Sequence, residues 1–159
     1  VFAGKKYMDA IYVIPPVAAS VFFIFLYSLF STIEYYYQKT GFIAIATCVC
    51  AVLNLVLNYF GIKMYGYYAA GYTTLICYVC LAFFHYIFYK KALKEVGNEE
   101  NMYDVKLIVS LSAIVIAIMI IMALTYSQTW IRYGLLIAIV CVSIIFKNKI
   151  LEAISALRK

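Results

Sequence analysis

Long apolar blocks, broken by short clusters of polar and aromatic residues, set the rhythm of this chain. A hydrocarbon layer of about 30 Å takes roughly 20 helical residues to cross. On that ruler five blocks qualify: 11–31, 42–62, 66–89, 107–126 and 130–146. Lipid offers backbone amides no partner, so each block is expected to close its own hydrogen bonds as a helix. The segment LIVSLSAIVIAIMIIMAL, 107–124, has no period of two, which argues against a β-barrel. The expected fold is all-α: a polytopic transmembrane bundle with five membrane-spanning helices.

Composition strengthens that picture. Hydrophobic residues fill 67% of the 159 positions and charged ones only 13%. Soluble domains are usually about half apolar and a quarter charged, and no core of this size could hide the excess. Seventeen tyrosines, many near block ends such as Tyr35, Tyr36, Tyr37, Tyr65, Tyr67, Tyr68, Tyr86 and Tyr89, fit interfacial belts.

Charge then orients the bundle. The formal net charge of +6 does not point to nucleic acid, because the basic residues sit in short connections between blocks. One side receives Lys5, Lys6, Lys63 and Arg132. The other receives Lys39, Lys90, Lys91, Lys94, Lys106, Lys147, Lys149, Arg158 and Lys159. Positive residues stay inside, so the C-terminus is expected in the cytoplasm and the N-terminus outside. The first residue is Val1, with neither a start methionine nor a signal peptide before that outside end. These residues are therefore expected to be the C-terminal part of a longer chain. The one substantial polar segment, YKKALKEVGNEENMYDVK at 89–106, reads as an amphipathic cytoplasmic loop.

Helix faces give the candidate residues. At about 100° per residue, Asn54 and Asn58 share a stripe with Thr47, Cys50, Ala51 and Gly61. Gly66, Ala70, Thr73, Cys77 and Cys80 form a similar stripe on the next block. Small, weakly polar faces suit close helix packing or a wet cavity. On the first block Pro16, Ser20, Tyr27, Ser31 and Glu34 share one side. Pro15 and Pro16 are placed in a first helical turn, where a missing N–H costs little. Glu34 is a functional candidate because acids inside spans are rarely idle, although its place near the cytoplasmic end also lets it reach the interface. The last two blocks are apolar all round and are expected at the periphery. Arg132, beside Trp130 and Tyr133, is read as snorkelling to the interface or, more sharply, contacting a phosphate.

Several chemistries find no support. No H-E-x-x-H, paired intramembrane carboxylates, glycine-rich phosphate loop or Ser/His/Asp set is present. The C-x-C at Cys48 and Cys50 and the C-x-x-C at Cys77 and Cys80 lie in apolar helices without ligand partners, so they read as packing residues. His85 reads as an interfacial histidine. No catalytic residue, metal or cofactor is expected, and the chain is not expected to be an enzyme.

The stretch AVLNLVLNYFGIKMYGYYAAGYTTLICYV, 51–79, resembles the C-terminal half of polysaccharide-exporter, or O-antigen-type, flippases of the multidrug/oligosaccharidyl-lipid/polysaccharide exporter superfamily. Asn54, Asn58, Ile62, Tyr65, Gly66, Ala69, Ala70 and Thr74 carry the likeness, with Lys63 where the family commonly has proline and Ala69 where it has glycine. GKKYMDA at 4–10 and YVIPPVAASVFFIFLYSLFSTIEYYYQKT at 12–40 are similar too. The resemblance implies part of the C-terminal lobe of a carrier of about 12–14 helices working by alternating access. Its implied partners are an undecaprenyl-diphosphate-linked oligosaccharide, membrane lipids and the N-terminal lobe of the same chain, in the bacterial cytoplasmic membrane. A multidrug/cation antiporter of the same superfamily is the alternative. Within that frame Asn54 and Asn58 either lock neighbouring helices, the preferred reading, or line a cavity touching sugar hydroxyls.

Overall fold

A computed structural model describes residues 11–97 and 102–125, together with Gln128, Trp130, Tyr133, Gly134, Ile137 and Ile144. Every regular element among them is helical. In chain order they are α1 (Ile14–Tyr36), α2 (Thr40–Tyr65), α3 (Ala69–Glu95) and α4 (Val105–Thr125). All four are long and apolar enough to cross a membrane, so the architecture is that of a helical membrane protein. Most of the fifth expected span, 130–146, lies outside the described residues, as do Arg132 and the segment 1–10. The chain divides into two units at Ala123 and Leu124, and α1 to α3 belong wholly to the first.

The helices extend past the apolar blocks at most ends. α1 runs to Tyr36 instead of Ser31, and α3 runs to Glu95 instead of Tyr89. Hydropathy marks the hydrocarbon layer, whereas a helix continues until its backbone finds a stop. For α1 that stop is a tight turn in which Gln38 takes φ 57° and the Lys39 N–H donates to the Glu34 carbonyl at 2.8 Å. Gly66, expected inside the third helix, instead terminates α2 with φ 78°. Pro15 and Pro16 stand in the first turn of α1, where they remove no intrahelical bond.

α3 is the centre of the bundle. α1 and α3 run in the same direction: Gly71 meets Val13 and Pro16 near one end, and His85 meets Glu34 towards the other. α2 returns between them in sequence and packs against α3 with Gly61 beside Ala69 and Thr73. Both contacts are close because glycine has no Cβ. A Cβ at Gly71 would come within 2.6 Å of Val13 Cγ1 and 3.2 Å of the Val13 carbonyl oxygen.

The α1–α3 seam is built from Ala19, Phe23, Leu26, Phe30 and Ile33 against Leu75, Ala82, Tyr89 and Leu93. A second cluster joins Ala46 and Cys50 of α2 to Leu81 of α3. The outward faces stay apolar: Phe25, Val52, Leu55, Phe83, Val109 and Ile118 are all exposed. A water-soluble helix would carry polar residues there. No residue of α4 is buried, as expected for a peripheral helix, although Ile108, Val115, Ile116 and Met119 rest on the seam.

Candidate functional site

Two polar constellations interrupt this apolar bundle, and both are anchored on α3. The first joins α2 to α3. Asn58 Nδ2 donates to Asn54 Oδ1 at 2.9 Å, one helical turn away on the same face. The Thr73 hydroxyl donates to Asn58 Oδ1 at 2.7 Å across the helix interface. That single hydroxyl proton also has the Ala69 and Ala70 carbonyls at 3.0 and 3.1 Å, and the interhelical acceptor is the nearest. Its neighbour Thr74 makes only the ordinary bond back to Ala70, at 2.7 Å. Thr47, Asn54 and Thr74 then open onto a groove of about 600 Å³ between α2 and α3, with Cys50, Cys77 and Leu81 on its walls.

The second constellation joins α1 to α3. Glu34 Oε1 and His85 Nδ1 lie 2.9 Å apart, and both residues are 0% exposed. The Tyr27 ring tilts over the imidazole with centroids 5.6 Å apart and stacks on Tyr78 at 6.4 Å. Below the pair, Phe30, Tyr86, Tyr89 and Tyr103 form an aromatic layer with centroid separations of 5.5 to 6.2 Å. The Tyr89 hydroxyl in that layer accepts the Met102 backbone N–H at 2.9 Å, so Tyr89 is an interior residue and not part of an interfacial belt. Burial pushes the Tyr103 phenol above its ordinary value, with a smaller contribution from Tyr89.

The pair corrects two expectations. His85 is an interior group with a carboxylate partner, not an interfacial histidine. Glu34, in the last turn of α1, does not reach water. The reason is that α3 continues ten residues past His85 to Glu95, about 15 Å of helix. Its last turns, with Tyr103, cover the end of α1. Lys39 and Glu95 form an ion pair at 2.6 Å at that same end.

Of the other candidates, Ser20 and Ser31 are buried, but each hydroxyl is satisfied inside α1, by the Val17 and Ser28 carbonyls at 2.6 and 3.1 Å. Tyr27 and Glu34 are thus brought together with His85, and Asn54 and Asn58 with Thr73. The two groups stand twelve residues apart along α3, about 18 Å. Arg132 lies outside the described residues. Among the described residues no group of three metal-ligating side chains occurs, and the four cysteines there are unpaired.

The Glu34–His85 pair leaves two atoms unanswered. Glu34 Oε2 and His85 Nε2 are buried without a hydrogen-bond partner among the described residues. Buried polar atoms are nearly always paired, which sets this contact apart from the satisfied hydroxyls of Ser20 and Ser31. No protein-family model, curated protein or solved structure matches the chain.

Proposed function

We propose that this chain forms part of the C-terminal lobe of a membrane transporter that flips an undecaprenyl-diphosphate-linked oligosaccharide across the bacterial cytoplasmic membrane by alternating access. The observation that carries a transport reading is the buried Glu34–His85 pair inside a bundle of membrane-length helices. Ionisable groups there are costly and usually belong to substrate or ion pathways. The groove beside Asn54, with hydroxyl and amide groups on a helix otherwise turned to lipid, supports a hydrated wall. The substrate class rests on the resemblance of 51–79 and 12–40 alone.

A second reading, a cation antiporter of the same superfamily, gains from Glu34. It needs a carboxylate inside the membrane, and Glu34 is fully buried. Deleting the full-length protein separates the two. The flippase reading predicts lipid-linked oligosaccharide accumulating on the cytoplasmic leaflet and loss of surface polysaccharide, with drug sensitivity unchanged. Intact polysaccharide with increased drug sensitivity favours the antiporter.

A further inference from the structure

We infer that Glu34 and His85 form a proton-binding site that couples proton movement to separation of α1 from α3. The inference rests on the transport reading above and adds the identity of the coupling ion. Three observations on the pair carry it: full burial, a mutual contact of 2.9 Å, and the two atoms Glu34 Oε2 and His85 Nε2, which have no partner among the described residues.

Counting protons shows why. A neutral imidazole beside a carboxylate carries one net negative charge. One added proton makes the pair neutral, either as imidazolium with carboxylate or as imidazole with carboxylic acid. A second leaves one net positive charge. Only the singly protonated pair enters a dry helix interface without a net charge, and net charge there is strongly disfavoured. A purely structural pair would have its outer atoms tied to neighbouring groups. Here Oε2 and Nε2 are shut off from solvent, and in this proposal an opening of the α1–α3 seam is what brings water to them. Opening then hydrates the pair and releases its proton to solvent; closing requires one to be taken up. No bond other than that O–H or N–H is made or broken.

Among the described residues, no fixed charge belongs to the core clusters around the pair. Among the described residues, the titratable groups in or against the two core clusters are Tyr27 on α1, Tyr37 just after it, Cys50 on α2, Tyr78, Cys80, Tyr86 and Tyr89 on α3, and Tyr103 before α4; the charged residues of α3, Lys90, Lys91, Lys94 and Glu95, follow beyond them. The Tyr27 ring lies against the imidazole, tilted by 33° with centroids 5.6 Å apart. The nearest cation along α3 is Lys90, five residues and about 8 Å further on, with its ammonium over Tyr86. Lys39 is held by Glu95. The pair therefore lies towards the lysine-rich end of the bundle, covered there by the last turns of α3.

The full-length carrier in proteoliposomes under a pH gradient provides the test. Glu34→Gln and His85→Gln should each reduce gradient-driven substrate movement to the protein-free leak rate, whereas Glu95→Gln should move substrate like the wild type. Unchanged gradient-driven movement in both pair variants overturns the inference while leaving the transport reading intact. So does movement driven by a sodium gradient alone. ¹⁵N-histidine spectra of the wild-type carrier give an independent readout that needs no folded variant. A buried imidazole resonance that changes protonation with pH and with substrate supports the site. One that never changes overturns it. A titrating resonance in a carrier that moves no oligosaccharide keeps the proton site and removes the proposed substrate.

Discussion

Glu34 and His85 hold each other in a place where neither would be tolerated alone. Removing one partner of a buried ionic contact typically costs about 3–5 kcal/mol, because the other is left uncompensated. Glu34→Ala is therefore expected to lower the thermal stability of the detergent-solubilised protein sharply. Glu34→Ala combined with His85→Ala should cost clearly less than the sum of the single changes. Additive losses in that double-mutant cycle would mean that the contact carries no coupling. A milder effect belongs to Thr73. Replacing it with valine keeps the shape and removes the donor to Asn58, which by analogy with other membrane helices costs about 0.6–1.7 kcal/mol. Tyr103 gives a pH effect outside the spans. Its phenol donates to the Leu29 carbonyl at 3.3 Å and is held neutral by burial. A raised phenol value in the folded state means full stability below the unfolded phenol's value, lost as pH rises through the folded one. Tyr103→Phe should flatten the alkaline limb of an unfolding-versus-pH curve.

Among the elements, α3 decides the arrangement because both neighbours approach it through glycine. Gly71→Ala would push a methyl against Val13 and the rigid ring of Pro16, so the start of α1 must shift. Overpacking of that kind usually costs about 1–3 kcal/mol, readable as a lowered midpoint in thermal unfolding. Gly61→Ala meets only side-chain methyls, Thr73 Cγ2 at 3.0 Å and Ala69 Cβ at 3.3 Å, and should be tolerated better. The positions of α1 to α4 were readable from the apolar blocks because lipid imposes a length. The face of α2 bearing Asn54, Asn58 and Gly61 was readable from helical periodicity. The meeting of Glu34 with His85 was not, since each looked interfacial by its distance from its own block end. What hid it is the overhang of α3 beyond α1, a tertiary property that no single helix records. One signal was available: His85 falls four residues after Leu81 and four before Tyr89, on the buried stripe of α3.

At the scale of the whole molecule, α1 and α3 form a tight seam, whereas α2 buries only Ala46 and Cys50 and leaves its groove open. In the carrier proposed above, that groove is the wall offered to further helices, and exposed apolar residues such as Phe25 and Val52 are turned to lipid. The proposed function requires the full-length protein to move an oligosaccharide head group across the bilayer. Leaflet assignment of undecaprenyl-diphosphate-linked oligosaccharide in proteoliposomes, by a membrane-impermeant glycan-modifying enzyme, measures this directly. Lipid initially on the inner leaflet should become accessible at a rate set by the amount of protein. Accessibility no faster than in protein-free vesicles, from a correctly folded preparation, would contradict it.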